Sequence, residues 1–330
     1  MSTPRILSGI QPSGKLHLGN YYSAIRQHIE LQAQGNAYYF IADYHALTTL
    51  QDRDAFRESV SDVALDYLAL GLDPERAVLW RQSDVPEVTE LTWLLATVTG
   101  MGLLERGHSY KDKVAHGITP RAGVFLYPVL MAADILAFRS EVVPVGKDQV
   151  QHIEMTQDMA DSFHAAFDCE DVFTRPEARL DQAAAVVPGV DGKKMSKSYG
   201  NTIEIFASGK PLKKRVMSIV TDSLGVDDVK DPEACTAWLI YKLVASEDEA
   251  AEMAARLRAG GYGYGDAKKA LLAAIDGTFA EARERRVALA AEPDRVHDIL
   301  ATGAARAREV ARDVLAAARE AVGMSGRPVP

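Results

Sequence analysis

Hydrophobic and polar residues follow two alternating periods in the first third of the chain. The runs RILSG (5–9), AYYFIADYHAL (37–47) and RAVLWRQS (76–83) have the apolar, aromatic and branched content of buried strands. The segments between them carry apolar residues at helical spacing, as in DAFRESVSDVALDYLALGLDP (54–74). Strands that alternate with amphipathic helices predict a parallel sheet with helices on both faces, so the predicted fold class is α/β.

A different pattern begins near residue 208. Beyond this point the strand pattern disappears, and Ala-, Arg- and Glu-rich stretches such as DEAAEMAARLRAG (248–260) have helical periodicity. The sequence therefore predicts two domains, an α/β domain over 1–208 and an all-helical domain over 209–330. The C-terminal helix of the second domain could pack back on the first.

Composition narrows the functional classes. The 330 residues, 47% of them hydrophobic, are enough for two cores, and the net charge of −9 argues against a general nucleic-acid binder. The two cysteines lack the paired spacing of a zinc or iron–sulfur site. Apolar runs are too short to cross a membrane, and MSTPRILSG (1–9) lacks a signal-peptide core. We therefore expect a cytoplasmic protein without a membrane partner.

The turn after the first predicted strand is a candidate anion site. GIQPSGK (9–15) fits the GxxxxGK pattern of a P-loop, but Leu16 stands where such a loop needs Ser or Thr to hold magnesium. HLGN (17–20) is the better-formed element, because Gly19 lets a ligand approach the backbone at the start of a helix. His17 either donates to a phosphate oxygen or caps that helix.

A second candidate is the lysine-rich stretch GKKMSKSYGN (192–201), which holds three lysines. Ammonium groups placed in advance stabilise the negative charge that builds up on phosphate oxygens during phosphoryl or nucleotidyl transfer. The simpler alternative is a solvated basic loop, which accounts for most short charge runs.

The two elements together resemble the paired signatures of the class I aminoacyl-tRNA synthetases. SGIQPSGKLHLGNY (8–21) corresponds to the His-Ile-Gly-His element, with Asn20 in place of the second histidine, and KMSKS (194–198) matches the second signature at every position. YPVLMAADIL (127–136) and VPVGKDQVQHIE (143–154) further resemble the bacterial tryptophan-specific branch of that family. The resemblance covers almost the whole chain.

This resemblance implies the fold and the reaction. The fold would be a Rossmann-like, doubly wound parallel-sheet catalytic domain with a C-terminal all-helical, anticodon-binding domain, assembled as a homodimer. ATP, L-tryptophan and tryptophan tRNA would be the partners, and Mg²⁺ would arrive with ATP, bound through phosphate oxygens and water rather than through a protein metal site. The implied catalytic residues are His17, Lys113, Lys194 and Lys197.

The resemblance also implies which residues contact ATP. They come from three segments: the turn after the first predicted strand, here called the first turn; the passage from a predicted strand to a helix at Gly146; and the lysine-rich stretch 192–201, here called the lysine loop. The expected ATP-binding residues are Gln11, Pro12, Ser13, Gly19, Asn20, Gly146, Lys147, Asp148, Val187, Lys194, Met195, Ser196, Lys197 and Ser198.

Specificity is expected to reside in FLYPVLMAADILAF (125–138). Pro128 suits the first turn of a helix, which would place Tyr127 at the N-terminal edge. Tyr127, Met131 and Asp134 are spaced i, i+4, i+7 and would share a face. A buried Asp134 needs a partner, either an arginine or backbone donor or, as the resemblance implies, the indole N–H of tryptophan. Gln149, His45 and Gln11 complete the implied tryptophan site.

Two further surfaces have candidate roles. The apolar content of TELTWLLATVTGMGLLERGHSYKDKV (89–114) exceeds what one helix face needs and suggests a dimer interface. A basic cluster near the domain junction could contact tRNA phosphates or be a solvated helix turn; it comprises Lys210, Lys213, Lys214 and Arg215.

Other functional classes remain open at this point. They are a tyrosine-specific relative, a P-loop enzyme, a small nucleotidylyltransferase and a non-catalytic binding protein descended from a synthetase. Nucleotidylyltransferases of that kind lack the helical domain, and a non-catalytic descendant would be expected to have lost His17, Lys194 or Lys197, all of which are present.

Overall fold

A computed structural model describes residues 3–107, 110–111, 119, 121–180 and 186–324. In these residues five parallel strands form one sheet in the order β3-β2-β1-β4-β5. The strands are β1 Arg5–Ile10, β2 Asn36–Ile41, β3 Ala77–Arg81, β4 Val142–Val145 and β5 Glu177–Leu180. The order reverses between β1 and β4, and ligands of such sheets bind outside the carboxyl ends of the strands at this point. The predicted doubly wound α/β fold is confirmed.

Helices flank the sheet and make up the regular structure beyond residue 208 in the part that is described. The helices of the α/β region are α1 Leu18–Asn20, α2 Arg26–Leu31, α3 Asp43–Ala46, α4 Arg53–Ala69, α5 Glu87–Val98, α6 Met101–Glu105, α7 Ala122–Leu136 and α8 Val150–Ala166. The later helices are α9 Gly209–Met217, α10 Thr236–Val244, α11 Glu247–Ala259, α12 Tyr264–Ala290 and α13 Pro293–Ala321. A π-helical turn, Tyr21–Ile25, joins α1 to α2.

Burial on both sides of the sheet follows from the strand period of two. In β2, Tyr39 and Ile41 belong to the core on one face, while Tyr38 and Phe40 belong to the core on the other. A strand that is apolar at successive positions is stable only between two covering layers, which explains its continuous hydrophobic run. None of the described helices is both long and apolar enough to cross a membrane.

The last helix, α13, lies directly against the edge strand β3. A Cβ built on Gly303 would stand 1.8 Å from the carbonyl oxygen of Leu79, so only a glycine allows this close approach. Farther along the helix, Arg308 and Arg312 donate to the buried carboxylate of Glu87 at the start of α5, at distances of 2.8 to 3.1 Å. Helix α13 thereby covers the strand edge that would otherwise be open.

Replacing Gly303 with alanine should reduce the free energy of unfolding by about 2 kcal/mol, because the added methyl group must push the helix off the strand. Gly277→Ala is the matched control, since a Cβ on Gly277 in α12 would meet no atom within 4 Å. The control should stabilise the protein by about 1 kcal/mol through helix propensity alone. Urea unfolding measures both effects. Equal stabilisation by the two alanines would contradict the close packing of α13 on β3.

The start of α7 differs from the prediction. Pro128 does not open the helix, which begins at Ala122 and contains the proline in its interior. An interior proline removes one backbone hydrogen bond at a cost of about 3 kcal/mol. Packing of the added first turns offsets this cost, because Val124 is buried and the ring of Phe125 lies 4.9 Å from that of Tyr110.

Two strand predictions also need correction. The run 37–47 is a strand only as far as Ile41, after which Asp43 accepts hydrogen bonds from the backbone N–H groups of Tyr44 and Ser83 and turns the chain into α3. Strand β5 was not predicted, because it lies at the edge of the sheet and is largely exposed, and therefore lacks a hydrophobic run.

Candidate active site

The largest cluster of predicted site residues lines one cavity of about 390 Å³ beside the switch point of the sheet. The predicted residues on its wall are Gln11, His45, Tyr127, Met131, Asp134, Gly146 and Gln149. Gln11 directly follows β1, His45 lies in the short helix after β2, and Gly146 follows β4. Because parallel strands end at the same edge of a sheet, side chains that follow different strands meet there.

Asp134 is fully buried at the inner end of this cavity, with 1% of its surface exposed. His45 Nε2 lies 2.8 Å from Oδ2, and Gln82 Nε2 lies 2.7 Å from Oδ1 and 2.9 Å from Oδ2. Burial raises the pKa of the Asp134 carboxyl, and the hydrogen bonds from His45 and Gln82 oppose that rise. The partners of Asp134 are therefore an imidazole and an amide, neither of which the sequence pattern identified.

Tyr127 is fixed on the same wall by a buried histidine. Its hydroxyl lies 2.5 Å from His152 Nε2, and the ring of His45 is 6.4 Å from the ring of Tyr127. His152 lies in α8, which follows the turn that holds Gln149. The tyrosine and Gln149 thus face the cavity from two adjacent helical elements. His152 lies within one of the stretches that carried the resemblance, but its spacing alone gave no sign of this contact.

His17 caps the helix that begins at Leu18. The imidazole Nδ1 of His17 accepts from the backbone N–H of Asn20 at 3.3 Å, and the backbone N–H of His17 donates to the side-chain oxygen of Asn20. Burial, reinforced by the nearby Lys197, lowers the pKa of His17 to about 4, so the imidazole is neutral at pH 7. Since Nδ1 accepts, Nε2 carries the hydrogen and can donate to an anion. A Cβ on Gly19 would stand 2.8 Å from the imidazole, so this cap needs the glycine.

The lysine loop is docked on the first turn. Lys197 Nζ donates to the carbonyl oxygens of Ser13 and Gly14, at 3.0 and 2.8 Å, and lies 3.2 Å from Ser13 Oγ. Met195 is buried, and its sulfur accepts from the backbone N–H of Gly19 at 3.4 Å. The two signatures, separated by more than half of the chain, therefore contact each other directly.

Backbone pairing behind the loop fixes this contact. The N–H of Leu18 donates to the carbonyl of Ile203 at 3.0 Å, and the N–H of Ile205 donates to that of Leu16 at 3.1 Å. The segment that follows the lysine loop is thus paired with the segment that carries His17. These backbone hydrogen bonds therefore fix the lysine loop relative to the segment that carries the His17 imidazole.

Asn201 organises the loop from inside. It is 2% exposed, accepts from the N–H of Ser196 at 2.8 Å and donates to the carbonyl of Lys194 at 3.1 Å and to Asp191 Oδ1 at 2.7 Å. The carbonyl of the buried Val187 accepts from the N–H of Met195 at 2.8 Å. These bonds hold the loop backbone while the side chain of Lys194 is exposed.

The remaining predicted site residues differ in their exposure, and two of them are not described or only partly described. Pro12 is buried, and Lys147 and Ser198 are exposed. Lys113 and the side chain of Asp148 lie outside the described residues. In the part of the chain that is described, no group of three or more His, Cys, Asp or Glu side chains is arranged to hold a metal ion.

The basic cluster on α9 divides into two kinds of side chain. Arg215 is tied to the lysine loop, because its Nε donates to the carbonyl of Thr202 at 2.5 Å and its Nη2 donates to that of Gly200. Lys210, Lys213 and Lys214 are exposed. The three lysines therefore present their charges to solvent, whereas Arg215 is partly buried and bound to the backbone of the lysine loop.

Comparison with known proteins agrees with this geometry. Residues 2–280 match the family model of the class I tRNA synthetases for tryptophan and tyrosine. The chain belongs to this family. That membership confirms the resemblance seen in the sequence, and it excludes the P-loop enzyme and the small nucleotidylyltransferase.

Several bacterial members of this family are similar to the chain over nearly its full length. The tryptophan–tRNA ligase of Rhodopirellula baltica is 55% identical over 320 residues, which cover 97% of this chain and 99% of the relative. That of Fusobacterium nucleatum is 51% identical over 322 residues, covering 98% of each chain. The crystal structure of tryptophanyl-tRNA synthetase from Campylobacter jejuni, complexed with ADP and tryptophan, is 48% identical with a TM-score of 0.91 and covers 97% of this chain and 99% of that one.

Proposed function

We propose that the protein is a tryptophan–tRNA ligase. It activates L-tryptophan with ATP to give tryptophanyl-adenylate and pyrophosphate, and then transfers the tryptophanyl group to the 3′-terminal adenosine of tryptophan tRNA, with AMP as the leaving group. The observation that carries the proposal is that His17 and the lysine loop meet at the end of β1, beside a cavity whose inner end holds the buried Asp134. The turn after β1 links the two, because Gln11 lines the cavity while Ser13 and Gly14 accept from Lys197.

Tryptophan fits the polar groups of the cavity at both ends. The indole N–H would donate to Asp134, with Met131 and the aromatic residues beside the ring. At the outer end the ammonium group would donate to Tyr127 and Gln149. The Tyr127 hydroxyl lies 2.5 Å from His152 Nε2, and a phenolic oxygen that donates to such a nitrogen can also accept, here from the ammonium.

Activation begins when the tryptophan carboxylate attacks the α-phosphorus of ATP, with pyrophosphate as the leaving group. The Nε2–H of His17 would donate to a phosphate oxygen, and Lys194 and Lys197 would bind the β- and γ-phosphates as negative charge accumulates there. Lys113 would add another cation. The groups at this end of the site are lysines and a neutral imidazole, which do not bind Mg²⁺ as carboxylates do, so the ion would be held by phosphate oxygens and water.

Lys197 must exchange partners for this step. It now donates to neutral carbonyl oxygens of the first turn. Charged phosphate oxygens accept stronger hydrogen bonds than neutral carbonyls do, so bound ATP would draw the ammonium away from Ser13 and Gly14. The loop would close on the nucleotide when ATP is present and rest on the turn when it is absent.

The remaining assignments rest on the family. Residues 1–208 would form the catalytic domain and 209–330 the anticodon-binding domain, in a cytoplasmic enzyme. Lys210, Lys213 and Lys214, exposed on α9 beside the loop, would contact tRNA phosphates.

Pyrophosphate exchange into ATP with each of the twenty amino acids tests the proposed function. Tryptophan alone should support exchange at low concentration. Exchange with tyrosine in its place would indicate the tyrosine-specific branch of the family. A folded protein that supports no exchange would be a binding protein rather than an enzyme.

The enzyme should also be a two-fold symmetric homodimer whose interface includes α5 and α6. Trp93 and Met101, in these helices, are 68% and 63% exposed, which is unusual for large apolar side chains. Trp93→Glu should dissociate the dimer, because symmetry places the new charge at the interface twice. Val287→Glu changes a residue that is 72% exposed in α12 and should leave the dimer intact. Sedimentation at micromolar concentration decides, and a stable wild-type monomer would contradict the expectation.

A further inference from the structure

Gln82 is a buried amide that bridges two walls of the tryptophan cavity. It follows β3 directly, in the 3₁₀ helix Gln82–Asp84, and is 1% exposed. Its side chain spans from the backbone of Tyr44 in α3 to the carboxylate of Asp134 in α7. A fully buried amide with partners on two other elements fixes the relative position of those elements.

The chemistry of Tyr44 decides which way this amide faces. The backbone N–H of Tyr44 can only donate, so the group 3.0 Å from it must be the oxygen Oε1. The amide NH₂ then faces Asp134, at 2.7 and 2.9 Å from its two oxygens. Because an NH₂ group can only donate, Asp134 has to accept. A flipped amide would lose both interactions.

Asp43 holds the anchor of Gln82 in place. Its Oδ1 accepts from the N–H groups of Tyr44 and Ser83, each at 3.0 Å, and its Oδ2 lies 2.5 Å from Ser83 Oγ. Ser83 is the next residue after Gln82, so the backbone is fixed at both ends of the amide bridge. The direction of the NH₂ group therefore does not depend on the side chain of Gln82 alone.

The bridge leaves Asp134 able to accept once more. A carboxylate has about four lone-pair sites. Gln82 and His45 account for three contacts, one at Oδ1 and two at Oδ2. Gln82 is also neutral. An arginine in its place would form an ion pair with the Asp134 carboxylate, and its additional N–H donors could occupy the remaining acceptor site.

We propose that Gln82 is a specificity-positioning residue, which holds the Asp134 carboxylate as an acceptor aimed at the N–H of a substrate ring. This inference rests on the proposed function, since it concerns recognition of tryptophan in the same cavity. Gln82 acts through Asp134 and does not itself touch the substrate. It sets the preference for tryptophan over rings of the same size that lack an N–H.

A matched pair of substrates separates this role from a merely structural one. The pair is tryptophan and 3-(benzothiophen-3-yl)alanine, whose ring has sulfur in place of the N–H. Gln82→Met keeps the length of the side chain and removes its donors. In pyrophosphate exchange, kcat/KM for tryptophan should fall about tenfold or more, mainly through KM, because a hydrogen bond to a charged group loses its alignment. The value for the sulfur analogue should change less than about twofold, since it makes no such bond.

Gln32→Met is the control for loss of a buried amide elsewhere. Gln32 is 9% exposed, donates to the carbonyl of Gly71 at 3.0 Å and accepts from the N–H of Asp73 at 2.8 Å, outside the cavity. This variant should be destabilised and keep the wild-type preference. If Gln82→Met does not fold, Gln82→Asn repeats the test, because the shorter amide cannot reach both Tyr44 and Asp134.

The outcomes are distinct. A fall in the preference for tryptophan in either Gln82 variant supports the inference. An unchanged preference, or equal losses for both substrates, overturns it. A wild-type enzyme that does not activate tryptophan would overturn the proposed function instead.

Discussion

Replacement of Lys197 with alanine should lower the rate of tryptophan activation by about a hundredfold or more, which corresponds to one lost charge contact of about 3 kcal/mol in the transition state. Tryptophan affinity should barely change. The proposed role of Lys197 is with the phosphates and not with the amino acid, and its ammonium lies on the turn at Ser13 and Gly14, outside the lining of the cavity that holds Asp134. Single-turnover kinetics with saturating ATP would separate the chemical step from binding.

Lys193→Ala is the matched control for this experiment. Lys193 is an exposed residue of the same loop, and it precedes the KMSKS signature at 194–198. Its loss removes the same charge from the protein without the contact to phosphate, so activity should remain close to normal. Near-normal turnover in Lys197→Ala would contradict the assignment of that lysine.

Replacement of Asp134 with alanine should have the second large effect, a fall in tryptophan activation of several kcal/mol. The variant loses the proposed acceptor for the indole N–H and also leaves the donors of Gln82 and His45 without their partner. Discrimination against phenylalanine should shrink at the same time, because a ring without an N–H would leave the remaining acceptor site of the wild-type Asp134 unfilled.

Asp134→Asn completes that test. It keeps the shape of the side chain and one neutral acceptor, so its loss should be smaller than that of the alanine variant. Pyrophosphate exchange with tryptophan, tyrosine and phenylalanine measures all three enzymes. Equal losses for the three amino acids would show that Asp134 is a structural residue without a role in specificity.

The sequence predicted those elements whose signals are local. Periodicity located β1, β3 and the helices beyond residue 208, because burial on one or two faces leaves a repeating pattern. It failed where tertiary contacts override a local preference. Packing around Val124 holds Pro128 inside a helix, and the hydrogen bonds of Asp43 end β2 early.

The candidate site shows the same division. The lysine loop and the His17 element were found because each is a continuous run of residues. Gln82 was not found, because it lies 52 residues from Asp134 in the chain and occurs at the end of an ordinary strand pattern. His152, 25 residues from Tyr127, was missed for the same reason. Contacts between distant single residues leave no pattern in one sequence.

The packing of α13 on β3 has a consequence for synthesis on the ribosome. Strand β3 lies at the edge of the sheet, and Glu87 beside it pairs with Arg308, which is 221 residues later in the chain. Translation adds about 5–20 residues per second, so the edge of β3 would stay uncovered for tens of seconds. An open strand edge is a template for association with other chains. During this interval the nascent protein should depend on a chaperone, and its yield should fall when such assistance is reduced.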